Sequence, residues 1–319
     1  MIMSDKSKSE KKLSTESYKG VKDFYPEDMA IENYIFDVWK KTAESFGFKE
    51  YSASILEPAE LYKSKTSEEI VNEQMFTFTD RGGREVALRP EMTPTLARMV
   101  AARRKSLKFP LRWYSIPNVF RYERPQRGRM REHWQLNCDL LGIAGVEAEV
   151  EIISLAYKIM KEFGAKDEDF VIKIGSRANL IGWLIEHNIP KEKHEEIIRL
   201  IDKKDKLSEE EYDTKRKKLG FDFKMTESPV IKSLILRLNE NGINNIEFDP
   251  NIVRGFDYYT GMVFEVFDRH SDNRRSLFGG GRYDNLLEIF GVDPIPTVGF
   301  GMGDVTIRDF LETHNLPLS

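Results

Sequence analysis

Hydrophobic and polar residues alternate from residue 133 to residue 140 with the period of two that is typical of a β-strand. The apolar face holds Trp134, Leu136, Cys138 and Leu140, and the polar face holds Arg131, His133, Gln135, Asn137 and Asp139. Successive side chains of a strand point to opposite faces, so one face is expected to be buried. An aromatic and β-branched run from Trp113 to Tyr122 precedes this strand, and Pro125 to Gly128 punctuate the connection. The two segments therefore predict a β-hairpin.

Apolar residues recur at helical spacing after Pro26 and form a stripe that a helix would bury. The stripe consists of Ile31, Tyr34, Ile35, Val38, Trp39 and Phe46. Further helices are predicted at 93–100, 147–163 and 304–311. Further strands are predicted at 48–56, 75–80, 84–88, 170–174, 252–267 and 279–283. Pieces of antiparallel sheet separated by helices indicate an α+β fold.

The composition changes along the chain and predicts four regions. Residues 1–17, rich in serine, lysine and glutamate, are expected to form a flexible tail. Residues 177–247 contain charged helical segments with apolar stripes, which predicts a small helical module inserted into the sheet domain. Residues 18–176 and 248–319 would then be the two parts of that sheet domain.

The bulk composition is that of an ordinary globular protein with room for a sizeable core. The chain has 319 residues, of which 40% are hydrophobic and 32% charged, and its formal net charge is −4. Cys138 is the only cysteine, which excludes an internal disulfide and a cysteine-based metal cluster. The sequence has no bilayer-length apolar run and no signal-peptide core, so we expect a cytoplasmic protein without a membrane partner. A nucleic-acid partner would need local basic patches.

Several common catalytic motifs are missing from the sequence. There is no phosphate loop of the Gly-x4-Gly-Lys-Ser/Thr type and no nucleophile elbow. Gly299-x-Gly301-x-Gly303 imitates a dinucleotide-binding turn, but too little chain follows to complete that unit. The five histidines are scattered and show no metal-ligand spacing.

The predicted hairpin combines a cluster of cations with neighbouring polar acceptors. Its charged residues are Arg121, Glu123, Arg127, Arg129 and Arg131, and they lie beside Gln135 and Asp139. Such a surface can hold a polyanion at one end and an ammonium group at the other. For an isolated strand, an ordinary solvated face is the alternative interpretation.

Two later segments carry further candidate chemistry. Arg254 lies close to Tyr258 and Tyr259, a combination that suits a site for a phosphate and a planar polar ring. The alternative is a tyrosine-rich strand with a bend at Gly255. The glycines at 279–281 would allow a ligand to approach the backbone closely, and Tyr283 follows them.

The hairpin string from Arg121 to Arg129, with Gln135 and Asp139, resembles motif 2 of the class II aminoacyl-tRNA synthetases in its histidyl-tRNA synthetase form. The segments at 254–261 and 279–284 resemble two signatures of the same family. Gly20-x-x-Asp23-x-x-Pro26, followed by a helix, a strand and Glu57-Pro58, resembles motif 1. The resemblance extends over residues 18 to about 310. It implies a class II synthetase-like antiparallel sheet flanked by helices, and a homodimer formed through the motif 1 region.

The resemblance also implies an activity. The protein would activate L-histidine with ATP to form histidyl-adenylate, and would then transfer the histidyl group to tRNA(His). Mg²⁺ would accompany ATP as its counter-ion, and no tightly bound cofactor is expected. The catalytic residues would be Arg254 and Arg121. The histidine-binding residues would be Glu91, Thr93, Gln135, Asp139, Tyr258, Tyr259 and Tyr283. The ATP-binding residues would be Arg121, Glu123, Arg129, His133 and Arg308, with Glu123 also a ligand of Mg²⁺.

Three positions depart from the family pattern. Thr306 stands where the third motif of the family carries an arginine that packs on ATP, and Arg308 is expected to replace it. His133 stands where many members have an aromatic residue against adenine. The sequence stops at Ser319, where the family continues into an anticodon-binding domain, so a catalytic fragment and a naturally short paralogue both stay open.

The last departure creates an alternative function. The regulatory subunit of ATP phosphoribosyltransferase resembles this synthetase core, senses histidine and does not charge tRNA. Intact Glu91, Arg121, Gln135 and Arg254 favour the enzyme, because a sensor has no need of two arginines that face phosphate. A plain interaction domain is a third interpretation, and it would bind neither ATP nor histidine.

Overall fold

The centre of the molecule is a large, mainly antiparallel sheet. In this computed structural model the described residues are 13–64, 66, 70–124, 127–204, 207–221, 226–253, 258–273 and 275–319. The described strands are β1 (Lys49–Glu50), β2 (Leu56–Pro58), β3 (Phe76–Thr79), β4 (Glu85–Leu88), β5 (Leu111–Ser115), β6 (Asn118–Phe120), β7 (Glu132–Leu141), β8 (Phe170–Ser176), β9 (Ile246–Phe248), β10 (Met262–Asp268), β11 (Ser276–Arg282) and β12 (Thr297–Gly303).

The large sheet has the strand order β1-β5-β7-β12-β11-β10-β8-β9, and β6 also pairs with β7. Its pairs are antiparallel except at the two edges, where β1 runs parallel to β5 and β9 runs parallel to β8. A smaller sheet has the order β2-β4-β3. The predicted α+β fold with an antiparallel sheet is confirmed, and β5, β6 and β7 form the predicted hairpin.

The described helices are α1 (Pro26–Ser45), α2 (Ala59–Lys63), α3 (Thr93–Arg103), α4 (Glu147–Glu162), α5 (Arg177–Glu186), α6 (His194–Asp202), α7 (Glu209–Leu219), α8 (Pro229–Glu240) and α9 (Asp304–Thr313). Helix α1 begins at Pro26, which suits the first turn because proline has no N–H to leave unpaired there. Across the described segments, no helix has both the length and the apolarity that crossing a bilayer requires.

One face of the large sheet is covered by helices and forms the main core. Helices α1, α4, α8 and α9 pack there, and the predicted apolar face of β7 is buried among them. Leu136, Cys138 and Leu140 are all fully buried in this core. Trp39 from the predicted stripe of α1 packs against Met302 of β12, with 3.0 Å between its Nε1 and the sulfur. With one face buried in this way, the polar face of β7 is directed to the opposite side of the sheet.

The predicted strand over residues 48–56 is wrong for most of its length. The chain leaves the large sheet after Glu50, and β2 begins only at Leu56, in the small sheet. Between them the backbone bonds to two different neighbours: the Tyr51 N–H donates to the Tyr114 carbonyl, and the Ile55 carbonyl accepts from the Arg89 N–H. An extended segment that passes from one sheet to another contains apolar residues as a strand does, but no single strand pairs with it along its whole length.

Helices α5, α6 and α7 surround an apolar cluster of their own. It consists of Leu180, Leu184, Ile197, Ile198, Leu200, Ile201, Tyr212, Leu219, Phe221 and Val253. Helix α8 packs instead on the main core through Ile231, Leu234 and Leu238. The domain boundaries at 18–176, 177–247 and 248–319 stay predictions, and the predicted tail at 1–17 falls mostly outside the described residues.

A buried ion pair ties the end of β11 to the start of α4. Both Arg282 and Glu149 are less than 10% exposed, and Arg282 Nη2 donates to Glu149 Oε2 at 2.6 Å. The same guanidinium donates to the carbonyls of Ile143 and Gly145 and to the Asp284 carboxylate. Its neighbour in sequence is Tyr283, so this pair fixes the backbone from which Tyr283 extends.

We expect Glu149→Ala to lower the free energy of unfolding by about 3–5 kcal/mol. The buried Arg282 charge would lose the carboxylate that it contacts at 2.6 Å and would keep only the longer carboxylate contact, to Asp284. Urea unfolding followed by circular dichroism measures this change. Asp37→Ala is the control, since it breaks only the exposed Asp37–Lys41 pair on α1 and should leave stability nearly unchanged. Equal effects of the two substitutions would contradict the importance of the buried pair.

Candidate active site

A cavity opens on the polar face of the large sheet, opposite the main core. About 420 Å³ of space free of protein atoms lies in and at the mouth of this cavity, open solvent included. Its lining residues are Glu91, Thr93, Arg121, Gln135, Asn137, Asp139, Tyr258, Tyr259, Gly279, Tyr283, Gly299, Phe300 and Gly301. All seven residues predicted to bind histidine line this one cavity, together with Arg121. The structure therefore brings together predicted histidine-binding residues that are up to 192 positions apart in the chain, from Glu91 to Tyr283.

Bare backbone forms the floor of the cavity. Gly279 of β11 pairs with Gly301 of β12, and Gly281 pairs with Gly299. A Cβ on Gly299 would overlap the Asp139 carboxylate and lie 2.9 Å from the Tyr283 hydroxyl, and a Cβ on Gly301 would lie 2.8 Å from Gln135 Nε2. Glycine at these positions leaves the space in which Gln135 and Asp139 lie over the sheet.

Asp139 is held at the bottom of the cavity by a tyrosine. The Tyr283 hydroxyl donates a hydrogen bond to Asp139 Oδ1. Burial raises the pKa of Asp139 to about 7, although the bond from Tyr283 opposes the rise. Burial and the neighbouring Asp139 also raise the pKa of Tyr283 well above its ordinary value, so Tyr283 stays protonated and remains the donor. A carboxyl group in this state gains from a cationic ligand, which would restore its charge.

Glu91 is a second buried carboxylate on the cavity wall. Burial raises its pKa, while hydrogen bonds from Thr66 and Tyr258 and the nearby Arg121 charge oppose the rise. The Thr66 hydroxyl donates to Oε1 at 2.6 Å, and the Tyr258 hydroxyl donates to Oε2 at 3.2 Å. One of the two carboxylates is thus oriented by Tyr258 and the other by Tyr283.

Three tyrosines enclose one end of the cavity. The ring centroids of Tyr258 and Tyr259 are 4.9 Å apart, and that of Tyr283 lies 5.5 Å from Tyr258 and 6.3 Å from Tyr259. The rings meet mostly edge to face, an arrangement in which aromatic rings attract one another. Such walls suit a small planar ring, and the hydroxyls of Tyr258 and Tyr283 supply polar contacts beside it.

The cationic part of the predicted site lies on the hairpin. The Arg121 guanidinium lines the cavity and is oriented by a bond from its Nε to the Pro90 carbonyl, at 2.9 Å. Arg129 pairs with Glu123, with 3.0 Å between Nη1 and Oε2. His133 is half-buried, and burial together with the Arg121 charge lowers its pKa to about 3. The His133 imidazole is therefore neutral at physiological pH and presents an uncharged ring.

The residues present offer a magnesium ion little beyond one carboxylate. Within the described ranges, no group of three or more potential ligands is arranged to hold a metal. Glu123 is the acidic residue of the hairpin connection at 121–131, and Mg²⁺ is commonly bound by one or two carboxylates together with substrate phosphates and water. This donor set fits an ion that arrives with ATP rather than one that the protein retains.

Four of the five predicted ATP-binding residues, namely Glu123, Arg129, His133 and Arg308, do not line this cavity. Arg308 forms ion pairs with Asp28 at 3.1 Å, Glu32 at 3.9 Å and Glu312 at 2.9 Å, which connect α9 to α1. Its predicted contact with ATP stays a prediction. Arg254 lies outside the described residues. Thr306 is near the hairpin, since its Cγ2 would lie 3.9 Å from a Cβ on Gly128.

Sequence reasoning missed some of the lining. Asn137 was placed on the polar face of its strand but was not chosen as a site residue, although the alternation alone supported that choice. The contact of Thr66 with Glu91 could not be predicted from the neighbouring residues, because the tertiary fold alone brings the two side chains together. Thr66 lies before a single π-helical turn (Ile70–Gln74).

Comparison with known proteins identifies relatives across nearly the whole chain. The sequence model of the family described as histidyl-tRNA synthetase matches residues 20–222 and 230–305. The histidine–tRNA ligase of Leptospira biflexa is 45% identical over 334 residues, which covers 96% of this chain and 76% of that protein. That of Thermoplasma volcanium is 40% identical and covers 95% and 76%. The residues that the family model matches include every predicted site residue except Arg308.

Solved structures show the same fold. The histidyl-tRNA synthetase from Nostoc sp. PCC 7120 superposes with a TM-score of 0.78 at 21% identity, covering 97% of this chain and 78% of that one. A protein from Bacillus halodurans described as an ATP phosphoribosyltransferase regulatory subunit/histidyl-tRNA synthetase gives 0.75 at 25% identity, covering 93% and 84%.

The buried Asp139 predicts a measurable dependence of stability on pH. Between the ordinary pKa of 3.8 and the raised value of about 7, the folded protein keeps a proton that the unfolded chain releases. The free energy of unfolding therefore loses up to about 1.4 kcal/mol per pH unit as the pH rises through this window. Asp139→Asn removes this loss, so the variant should gain stability relative to the wild type as the pH rises.

Urea unfolding at a series of pH values from about 4 to about 8 measures the difference between the two proteins. The lowered pKa of His133 has the opposite effect on stability in this range, but it is present in both proteins and cancels in the difference. Asp37→Asn serves as an exposed control. A difference between wild type and Asp139→Asn that stays constant with pH would contradict the buried, protonated state of Asp139.

Proposed function

The chain belongs to the histidyl-tRNA synthetase family, and on that premise we propose how its cavity activates histidine. Its activity is that of a class II aminoacyl-tRNA synthetase, a ligase that uses ATP to join histidine to tRNA. The observation that carries the proposal is one cavity that combines two buried carboxylates, three tyrosines and a fixed guanidinium.

We assign the α-ammonium group of histidine to the carboxylate end of the cavity. Glu91, Asp139, Gln135 and Thr93 supply the acceptors that a buried cation requires, and an ammonium ion would offset the cost that burial imposes on both carboxyl groups. Tyr258, Tyr259 and Tyr283 would enclose the imidazole ring. Because Asp139 is bonded to Tyr283, it stands at the border between these two subsites.

The reaction needs two anions to meet. A carboxylate oxygen of histidine attacks the α-phosphorus of ATP, the bond from that phosphorus to the bridging oxygen breaks, and pyrophosphate leaves with the electron pair. The bond from Arg121 to the Pro90 carbonyl orients its guanidinium before any ligand arrives, which supports a role in stabilising the negative charge that would develop on the phosphate. Arg254 would share this task, by the resemblance of its segment to the family signature.

The hairpin would hold the rest of ATP. The neutral ring of His133 is suited to stacking on adenine, and Arg129 supplies a cation for the phosphates. Magnesium would screen the β- and γ-phosphates, with Glu123 as its protein ligand. Transfer then proceeds when the 3′-terminal hydroxyl of tRNA attacks the activated carbonyl and AMP leaves.

A homodimer is a further part of the proposal. Several apolar side chains in and beside the motif 1 region are exposed: Tyr25 at 70%, Phe78 at 48% and Leu56 at 47%. Contact between two copies of the chain would remove these groups from water. Tyr25 directly precedes α1, Leu56 lies in β2 and Phe78 lies in the neighbouring β3, so these residues belong to or border the region through which the family resemblance implies dimerisation.

We expect histidine-dependent exchange of pyrophosphate into ATP in the presence of Mg²⁺, with no exchange when other amino acids replace histidine. This measurement detects adenylate formation without tRNA. Exchange with histidine alone would show that Thr306 in place of the usual arginine is tolerated. Histidine binding without exchange would contradict the synthetase mechanism and favour the regulatory alternative.

Arg254→Ala should lower the exchange rate by about 100- to 1,000-fold, the scale of losing one fixed donor at a developing charge. The fold should survive, which thermal unfolding can check. Arg84→Ala is the control, because Arg84 is an exposed arginine that pairs with Asp80 and does not line the cavity. An Arg254→Ala protein that exchanges as fast as the wild type would remove Arg254 from the mechanism.

A further inference from the structure

One segment of this acidic protein carries only positive charge. Residues 92–122 contain seven lysines and arginines and no aspartate or glutamate, although the whole chain has a net charge of −4. The seven are Arg98, Arg103, Arg104, Lys105, Lys108, Arg112 and Arg121. Such a segment needs either acidic partners from elsewhere in the fold or an external anion.

The fold supplies partners for two of these cations. Arg98 pairs with Glu57 at 2.7 Å, and Arg112 pairs with Glu151 on α4. Arg121 lines the cavity described above. The remaining four form the α3 basic cluster, namely Arg103, Arg104, Lys105 and Lys108. Among the residues that the structure describes, no carboxylate lies within ion-pair distance of any of these four.

The backbone that carries the α3 basic cluster is fixed by packing. Helix α3 ends at Arg103, and the N–H groups of Ser106 and Leu107 both donate to the Arg103 carbonyl. The Arg104 guanidinium lies 4.6 Å from the centre of the Phe109 ring, and Leu107 and Phe109 both pack against a buried apolar cluster. Arg103, Lys105 and Lys108 are exposed on this ordered frame.

Stabilisation of the helix dipole does not account for the whole cluster. A cation helps a helix when it lies in or next to the last turn. Arg103 meets this condition, but Lys105 and Lys108 lie two and five residues beyond the end of α3. Four neighbouring like charges also repel one another, so an external anion would relieve a cost that the folded protein otherwise bears.

Helix α3 connects the cluster to the active site. The helix begins at Thr93, which lines the cavity, and its 11 residues end at Arg103. At a rise of about 1.5 Å per residue, Arg103 lies about 15 Å along the helix from Thr93. A stacked nucleic-acid strand covers that distance with about five nucleotides, at about 3.4 Å for each phosphate.

We propose that the α3 basic cluster binds phosphates of tRNA a few nucleotides from the 3′ end that enters the cavity. The inference rests on the proposed function, since it takes tRNA as the partner. Clustered Lys and Arg side chains are the usual contacts to a phosphate backbone, and they bind without reading sequence. The cluster therefore contributes affinity and position for the acceptor end, and leaves histidine activation unaffected.

The test uses the triple variant Arg103→Ala, Lys105→Ala, Lys108→Ala with a tRNA(His) transcript and with an acceptor-stem minihelix. Binding of both RNAs at low salt should weaken at least roughly tenfold, and the slope of log affinity against log salt should fall by about 2 to 3, one for each lost contact. Histidine-dependent pyrophosphate exchange and the KM values for histidine and ATP should stay within about twofold of the wild type.

Two control proteins sharpen the result. Lys40→Ala, Lys158→Ala, Lys166→Ala removes the same charge from lysines that are already paired with Glu50, Glu162 and Glu168, and should leave RNA binding unchanged. Arg103→Lys, Lys105→Arg, Lys108→Arg keeps the charges and should bind RNA as the wild type does.

RNA affinity and salt slope equal to the wild type in the alanine variant would overturn the proposal. An equal loss of RNA affinity in the paired-lysine control would also overturn it. A changed oligomeric mass with unchanged RNA affinity would overturn it too, because the cluster would then be a contact between copies of the chain. If the wild type shows no pyrophosphate exchange but RNA binding still depends on the cluster, the proposed function fails and the RNA-binding surface stands.

Discussion

The site depends on one constraint, which is that side chains and backbone approach each other closely on the polar face of the large sheet. The side chains of Gln135 and Asp139 lie across β12 because Gly299 and Gly301 have no Cβ to block them. The glycines of β11 and β12 also leave the cavity above the sheet open. Larger residues at these positions would fill the cavity from below, so the glycines serve the ligand rather than the stability of the strands.

The main core and the buried ion pair hold this face in place. Leu136, Cys138 and Leu140 anchor β7 in the core on the other side of the sheet, so its polar residues cannot turn away from the cavity. Arg282 and Glu149 fix the end of β11, from which Tyr283 reaches Asp139. Packing on one face of the sheet thus determines geometry on the other.

The electrostatics of the site favour charged ligands over the empty state. Burial raises the pKa of both Glu91 and Asp139, which means that their charged forms are destabilised until a cation arrives. The lowered pKa of His133 has the matching effect, because it keeps the ring uncharged beside Arg121. These are the charge states that the proposed binding of an ammonium group at one end and phosphates at the other would require.

Local pattern in the sequence determined the elements and the family. The alternation at 133–140 predicted the strand, its buried face and its polar face, since a period of two needs no knowledge of the partner strands. Short motifs of fixed spacing identified the synthetase family and named the seven cavity residues predicted to bind histidine. The misassigned strand at 48–56 shows the limit of this approach, because a segment that changes sheets has the same apolar texture as a strand.

The tertiary structure decided which groups meet and what charge they carry. Thr66 reaches Glu91, and Arg308 turns to Asp28 and Glu32, through contacts between residues far apart in the chain. The pKa of Asp139 depends on burial beneath Tyr283, and the unpaired state of the α3 basic cluster depends on where the acidic residues of the fold lie. Desolvation and ion pairing act through space, so they are properties of the folded chain and cannot be read from neighbouring residues.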